Sequence, residues 1–329
     1  MTRHRDFPER ALFTAGATAL LALSLTLAGC KHGYSAQDDP ASGPTSELLA
    51  PSPAGAGTDF ARARSLYPLA IGNHWDYRVR TRTQLTTDAG PQPPETQEST
   101  ITVDITGTTT LDDRSYFVQR EVDPRWGIIS EQQYLVRGSR FGLFEALLVR
   151  TQPDATVGES PADAERAALT AYVERTITDP AQRAAFQRAA ADVAAKLAAA
   201  RPVLGGVRPR QGAAPGETML LSYPLYAGAR WLVLEEPRFG RVVVGLDRIR
   251  VPLGTFAAWK LRGTSESFGP NDRLHLWYSN LGLLRIRYHF EVDAVDNTGT
   301  VIGRAALDSD QSLTGIHLVR GAALAAGGE

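Results

Sequence analysis

The sequence predicts a mainly β protein, a curved antiparallel sheet or half-barrel that carries an inserted α-helical hairpin. Three observations support this class. Apolar and polar residues alternate with a period of two in several segments, as in Trp75-Asp76-Tyr77-Arg78-Val79-Arg80. Turn residues separate those segments at short spacing. A single stretch, about 161–201, abandons the alternation for helical spacing.

The chain opens with a basic head (Arg3, Arg5, Arg10), an uncharged apolar run from Ala11 to Leu27, and the small pair Ala28-Gly29 before Cys30. This is the anatomy of an export leader whose peptidase cuts before a cysteine, and Leu27-Ala28-Gly29-Cys30 resembles a bacterial lipobox. Residues 1–29 are therefore read as a lipoprotein signal peptide. The alternative is an uncleaved anchor, since about 18 apolar residues can just span a bilayer. Thr14, Gly16, Thr18, Ser24 and Thr26 dilute the run. The resemblance to lipoproteins implies that the Cys30 thiol becomes a diacylglyceryl thioether and that the new amino terminus is acylated. Several chains make such attachment effectively permanent, whereas one is marginal. Lys31 follows the cysteine instead of the aspartate that would favour inner-membrane retention in that family, so the resemblance implies the periplasmic face of the outer membrane.

Residues 30–63 then form a linker rich in Pro, Gly, Ser, Ala and Asp, without apolar periodicity. As a coil it would span roughly 30 Å. The β-rich domain occupies 64–320, and 321–329 is a flexible tail. A formal charge of -1 over 329 residues gives no electrostatic case for nucleic acid. One cysteine allows no internal disulfide in an oxidising compartment, so stability must come from burial.

Within the domain, Ile101, Val103 and Ile105 alternate with Thr102, Asp104 and Thr106. Ile286, Tyr288, Phe290, Val292 and Ala294 alternate with Arg285, Arg287, His289, Glu291 and Asp293. Each pattern predicts a strand buried on one side. Turns are expected at Leu111-Asp112-Asp113, Arg137-Gly138-Ser139, Pro252-Leu253-Gly254 and Asp296-Asn297-Thr298-Gly299. The third suits a three-residue hairpin loop with a bulge, pairing 242–251 with 255–263.

The helical stretch places Leu169, Tyr172, Val173 and Ile177 on one face. Asp179-Pro180 then supplies an N-cap and a first-turn proline for a second helix, which lines up Phe186, Ala190, Val193 and Leu197 until Pro202 stops it. Its apolar stripe is expected to pack as a lid on the open face of the sheet, with membrane contact or a partner site as alternatives.

Three blocks carry a family resemblance. Tyr67-Pro68-Leu69-Ala70-Ile71-Gly72-Asn73-His74-Trp75-Asp76-Tyr77 resembles the opening of a group of uncharacterised bacterial lipoproteins. Val251-Pro252-Leu253-Gly254-Thr255-Phe256 and Trp277-Tyr278-Ser279-Asn280-Leu281-Gly282-Leu283-Leu284 agree with it in order. The helical insertion is left unmatched. The resemblance implies a sheet similar to the half-barrels of the LolA/LolB type, which hold acyl chains in an apolar concavity.

Sequence motifs for chemistry are absent: there is no phosphate-binding loop, dinucleotide fingerprint, zinc-protease helix, nucleophile elbow or paired cysteine motif. Gly138-Ser139-Arg140 and Gly263-Thr264-Ser265 read as turns. His275 and His289 are expected at solvated or edge positions, with a metal site shared with Asp272 or Glu291 as the less favoured alternative. Asp112-Asp113 and Glu235-Glu236 read as turn and edge charges rather than a hydrolytic pair. Arg78, Arg80 and Arg82 form a basic row that suits an outward face, or a lipid phosphate. Trp75, Tyr77, Trp259, Trp277, Tyr288 and Phe290 are candidates to line an apolar groove, or to fill an ordinary core.

The expected function is therefore a non-catalytic, membrane-tethered module that binds a lipid or other hydrophobic ligand, with no catalytic residues, metal or cofactor. A structural lipoprotein that docks on an envelope protein assembly is the alternative, and a periplasmic hydrolase the second.

Overall fold

The computed structural model describes residues 66–111, 113–124, 130–139, 141–148, 161–200, 217–234 and 238–319. The expected leader, Cys30, the linker, the tail, Asp112, residues 201–216 of the expected loop and the pair Glu235-Glu236 lie outside the described residues. The first strands are β1 (His74–Thr87), β2 (Gly90–Pro91), β3 (Glu95–Leu111), β4 (Arg114–Asp123), β5 (Ser130–Ser139) and β6 (Gly142–Leu148). Helices α1 (Pro161–Thr176) and α2 (Pro180–Ala200) follow. The chain then returns to β7 (Thr218–Ser222), β8 (Arg230–Leu234), β9 (Phe239–Val251) and β10 (Gly254–Ser265). It ends with β11 (Arg273–Ser279), β12 (Gly282–Val295) and β13 (Val301–His317).

All pairings are antiparallel, and one sheet runs β7-β6-β5-β4-β3-β1-β13-β12-β11-β10-β9-β8, with the short β2 paired to β1. The expected mainly β class with a helical hairpin is what the structure shows, and the curvature is greater than a half-barrel. The two end strands, β7 and β8, are consecutive in the chain and are brought side by side. No backbone ladder joins them. Instead the Trp231 indole N–H donates to the Met219 carbonyl at 3.1 Å, and Arg241 of β9 reaches across to the Leu220 carbonyl at 2.5 Å. The sheet is thus a nearly closed barrel whose seam is bridged by side chains. Near-closure leaves little unpaired strand edge.

The period-two patterns decide which residues face inward. In β1 the odd-numbered residues from Trp75 to Leu85 are all buried, while Arg78, Arg80 and Arg82 are exposed. Register carries that parity across the sheet: Leu85 faces Ala305, which faces Val292, and Thr81 faces Ser309, which faces Tyr288. Two large apolar clusters result. One gathers Trp75, Tyr77, Ile101, Val103, Leu284 and Leu313. The other joins Leu85, Phe290, Ala305 and Leu307 to the helical hairpin.

The hairpin forms as its sequence requires. Asp179 caps α2, its carboxylate accepting from the Gln182 amide at 2.8 Å. All eight residues expected on the apolar stripe are buried, and they share one cluster with inner-face strand residues. The stripe therefore packs on the sheet, principally on β12 and β13. Polar fastenings flank it: Tyr172 donates to the Pro93 carbonyl at 2.5 Å, Arg175 meets Glu95 at 2.7 Å, and Lys196 meets the fully buried Asp272 carboxylate at 2.5 Å.

At the start of β1 the described chain begins by packing on the sheet. Tyr67 stacks on Trp75, with centroids 5.4 Å apart, and the Trp75 indole donates to the Leu281 carbonyl at 2.7 Å. Tyr77 donates to the Leu283 carbonyl at 3.0 Å. Two of the three sequence blocks that carry the family resemblance thus meet in space. The third differs in detail from expectation. Val251 pairs directly with Gly254, so the loop is two residues, Pro252-Leu253, and the bulge sits farther along the hairpin, at Lys260/Leu261.

Candidate functional site

Besides hydroxyl and amide side chains such as Thr81, Thr83, Gln97 and Ser309, the inner face gathers one group of charged and phenolic side chains. Gln119 and Glu121 on β4 pair in register with Ile105 and Val103, so both share the inward parity of those buried residues. Glu145 on β6 pairs with the buried Val136, and Arg241 on β9 pairs with Gly263, beside the inward Leu261 and Leu274. Tyr278 on β11, Tyr77 on β1, and Tyr67 and Tyr223 from the connecting segments complete the group. Tyr67 donates to Gln119 at 2.7 Å.

Electrostatics give the group its character. Burial, then the neighbouring Glu121 carboxylate, push the Glu145 carboxyl up to about 8, with Arg241 acting in the opposite direction. At neutral pH Glu145 is mainly the neutral acid and can donate a hydrogen bond. Burial also pushes the Tyr67, Tyr77, Tyr223 and Tyr278 hydroxyls upward, although Tyr67 and Tyr223 keep part of their surface accessible. Arg241 is 3% exposed and hydrogen-bonds Tyr278, yet its Nε–H has no partner. Two further inward atoms, Thr83 Oγ1 and Gln97 Oε1, are likewise buried without a partner. Each such atom costs about 1–3 kcal/mol unless something meets it. The interior therefore holds buried polar atoms without partners among aromatic and aliphatic side chains.

Of the six aromatic residues singled out in the sequence, Trp75, Tyr77, Trp259, Tyr288 and Phe290 share the inner face. Trp75 and Phe290 are fully buried, whereas Tyr288 remains partly accessible. Trp277 lies in the same buried cluster as Trp75 and Tyr77 but has the opposite ladder parity. It pairs with Lys260 and Arg285, whose parity is that of the charged face, and its indole donates to Asp247 at 3.2 Å. Glu145 and Arg241 escaped sequence reading because each stands among apolar neighbours in a β segment, and Glu121 because it sits in the charged run Arg120-Glu121-Val122-Asp123. The signal was present in Phe239-Gly240-Arg241-Val242-Val243 and Leu143-Phe144-Glu145, where a charge takes an inward position.

The histidines lie elsewhere. His289 meets Asp308 at 2.8 Å, and that hydrogen bond raises its pKa against the effect of burial. His74 is held between Asp104 at 2.6 Å and Asp76 at 3.0 Å, and the Asp104 hydrogen bond raises its pKa. His275 packs beside the Trp277 ring. Among the described residues no group of three His, Cys, Asp or Glu is arranged to hold a metal. Gly138-Ser139 and Gly263-Thr264-Ser265, expected as turns, instead end β5 and β10 in ladder pairs; the Ser139 hydroxyl accepts from the Phe141 amide at 3.0 Å and the Ser265 hydroxyl donates to the Arg238 carbonyl at 3.0 Å.

A surface cleft of about 550 Å³ lies where α2 meets β12 and β13. Its charges are already matched, Lys196 to Asp272 and Arg304 to Glu291 and Asp293. The inner polar group is therefore the stronger candidate. On the other face of the sheet, Glu217 is buried but held by both Tyr116 and Arg137. It is a structural ion pair.

No family model and no curated protein matches this chain. Among solved structures, a Bacteroides fragilis protein of YmcC-like fold, inferred to be exported, aligns with 12% identity and a TM-score of 0.30, covering 77% of this chain and 99% of that one.

Proposed function

We propose that the chain is an exported lipoprotein, fastened through Cys30 to the periplasmic face of the outer membrane, whose barrel binds a lipid or similar amphiphile without catalysing a reaction. The leader and its Leu27-Ala28-Gly29-Cys30 exit support the tether, and the resemblance to lipoprotein half-barrels supports the ligand class. The observation that carries the binding reading is Arg241: a buried guanidinium with an unpartnered Nε–H, beside a neutral Glu145 and four tyrosines, on a mostly apolar inner face. A polar headgroup would meet these atoms, and a hydrocarbon tail would lie along Tyr288, Leu276 and Trp259.

Two measurements test the reading separately. Cells fed labelled palmitate should label the parent, and Cys30→Ser should lose both label and membrane association; an unlabelled parent removes the tether. Native mass spectrometry of the chain from residue 30 carrying Cys30→Ser should reveal a co-purifying amphiphile that is lost in Arg241→Met and weakened in Tyr288→Ala. A bare protein binding no added lipid would remove the carrier reading and leave a docking scaffold.

A further inference from the structure

We infer that the outer face of β1, β13, β12, β11 and β10 is a docking surface for an anionic lipid bilayer. Register stacks the outward residues of these strands into three adjacent rows. The first contains Arg78, Arg285 and Lys260, with Ser312 between the two arginines and Trp277 between Arg285 and Lys260. The second contains Arg80, Arg287 and Arg262, interrupted by Asp310 and by His275. The third contains Arg82 and Arg273, with Asp308 and His289 between them. With Glu98 added from β3, the rows hold eight Arg or Lys against three Asp or Glu.

Those acids do not cancel the excess. Asp310 is shared by Arg285 and Arg287, Glu98 lies 3.7 Å from Arg80, and Asp308 faces His289. Acids at the borders are engaged as well, Asp247 by the Trp277 indole and Glu291 by Arg304. Arg78, Arg80, Arg82, Arg262, Arg273 and Arg287 are exposed. A chain with a formal charge of -1 thus concentrates positive charge on one side of its barrel. The internal Asp column sets the geometry of the flanking arginines, since oppositely charged cross-strand neighbours stabilise one another.

The occupant follows from charge. On the proposed reading that Cys30 tethers the chain to a membrane, a bilayer bearing anionic headgroups is the surface at hand for this basic face. Lys and Arg residues near such a surface each add to binding, and the attraction fades beyond a Debye length.

The test uses the chain from residue 30 with Cys30→Ser, so that neither lipidation nor the interior ligand is required. Sedimentation with phosphatidylglycerol-containing vesicles at 0.1 M salt should show binding that phosphatidylcholine vesicles do not, and 1 M salt should abolish it. Arg78→Gln/Arg82→Gln/Arg262→Gln, all at exposed positions, should weaken partitioning by about a hundredfold at unchanged Tm. Glu98→Gln should strengthen it several-fold. Equal association with both vesicle types, parental binding by the triple variant, or capture by polyglutamate with none by vesicles would overturn the inference.

Discussion

Phe186 of α2 rests on the bare backbone of Gly303 in β13, its ring occupying the space where a side chain at that position would begin. The same missing Cβ would also press on the Thr86 carbonyl of β1. One glycine thus lets the helical hairpin lie directly on the ladder between β1 and β13. Gly303→Ala should destabilise the fold by about 1–3 kcal/mol, the usual cost of overpacking. Gly303→Ala/Phe186→Leu should recover part of it. Paired denaturant titrations measure both.

Glu145 makes stability depend on pH in a defined direction. Its folded pKa, about 8, lies above the ordinary carboxyl value, so the folded state binds the extra proton. The folded protein is then favoured most below the unfolded pKa, and that advantage is lost as pH rises toward 8. Glu145→Gln, which keeps the shape of the neutral acid, should remove the slope. Its Tm should exceed the parent's at pH 8 and match it near pH 4, with a free-energy span of up to about 4 kcal/mol. Parallel melting curves in the two variants would show an ordinary carboxyl instead.

The seam depends on Trp231. Its indole bond to Met219 joins two strands that share no ladder. Trp231→Phe retains most of the apolar surface and deletes one buried hydrogen bond, leaving the Met219 carbonyl unsatisfied, for a loss of about 1–3 kcal/mol. Amide exchange should accelerate in β7 and β8 ahead of β1 and β13. Uniform acceleration across the sheet would mean that the seam does not open locally.

Lys196 is the counterion of a carboxylate that is fully buried. Asp272 also accepts from the Gly269 amide at 2.7 Å and the Glu291 amide at 2.9 Å, which hold it in place whether or not Lys196 is present. Lys196→Met should therefore cost about 3–5 kcal/mol, because it strands a buried charge. Asp272→Asn in the same background should restore much of the loss. A double-mutant cycle by chemical denaturation gives the coupling.

Much of the architecture was legible residue by residue. Alternation in β1 and β12, the eight-residue helical stripe and the Asp179-Pro180 start are local patterns set by the periods of strand and helix, and packing follows them without conflict. Parity alone failed at β11, where Trp277 and Tyr278 are adjacent aromatics on opposite faces. Both faces of that strand bury large side chains, because Trp277 is covered by Lys260, His275 and Asp247. A pattern that contrasts buried with exposed cannot then say which of two buried faces is the inner one.

The β-rich class, the inserted hairpin and the residues that hairpin buries could be read along the chain, since each is a property of neighbours in sequence. That the sheet curls until β7 meets β8, and that Glu121, Glu145 and Arg241 come together from β4, β6 and β9, emerged with the folded sheet. Those outcomes depend on register and bulges accumulated over the whole sheet, and on burial that no single segment encodes.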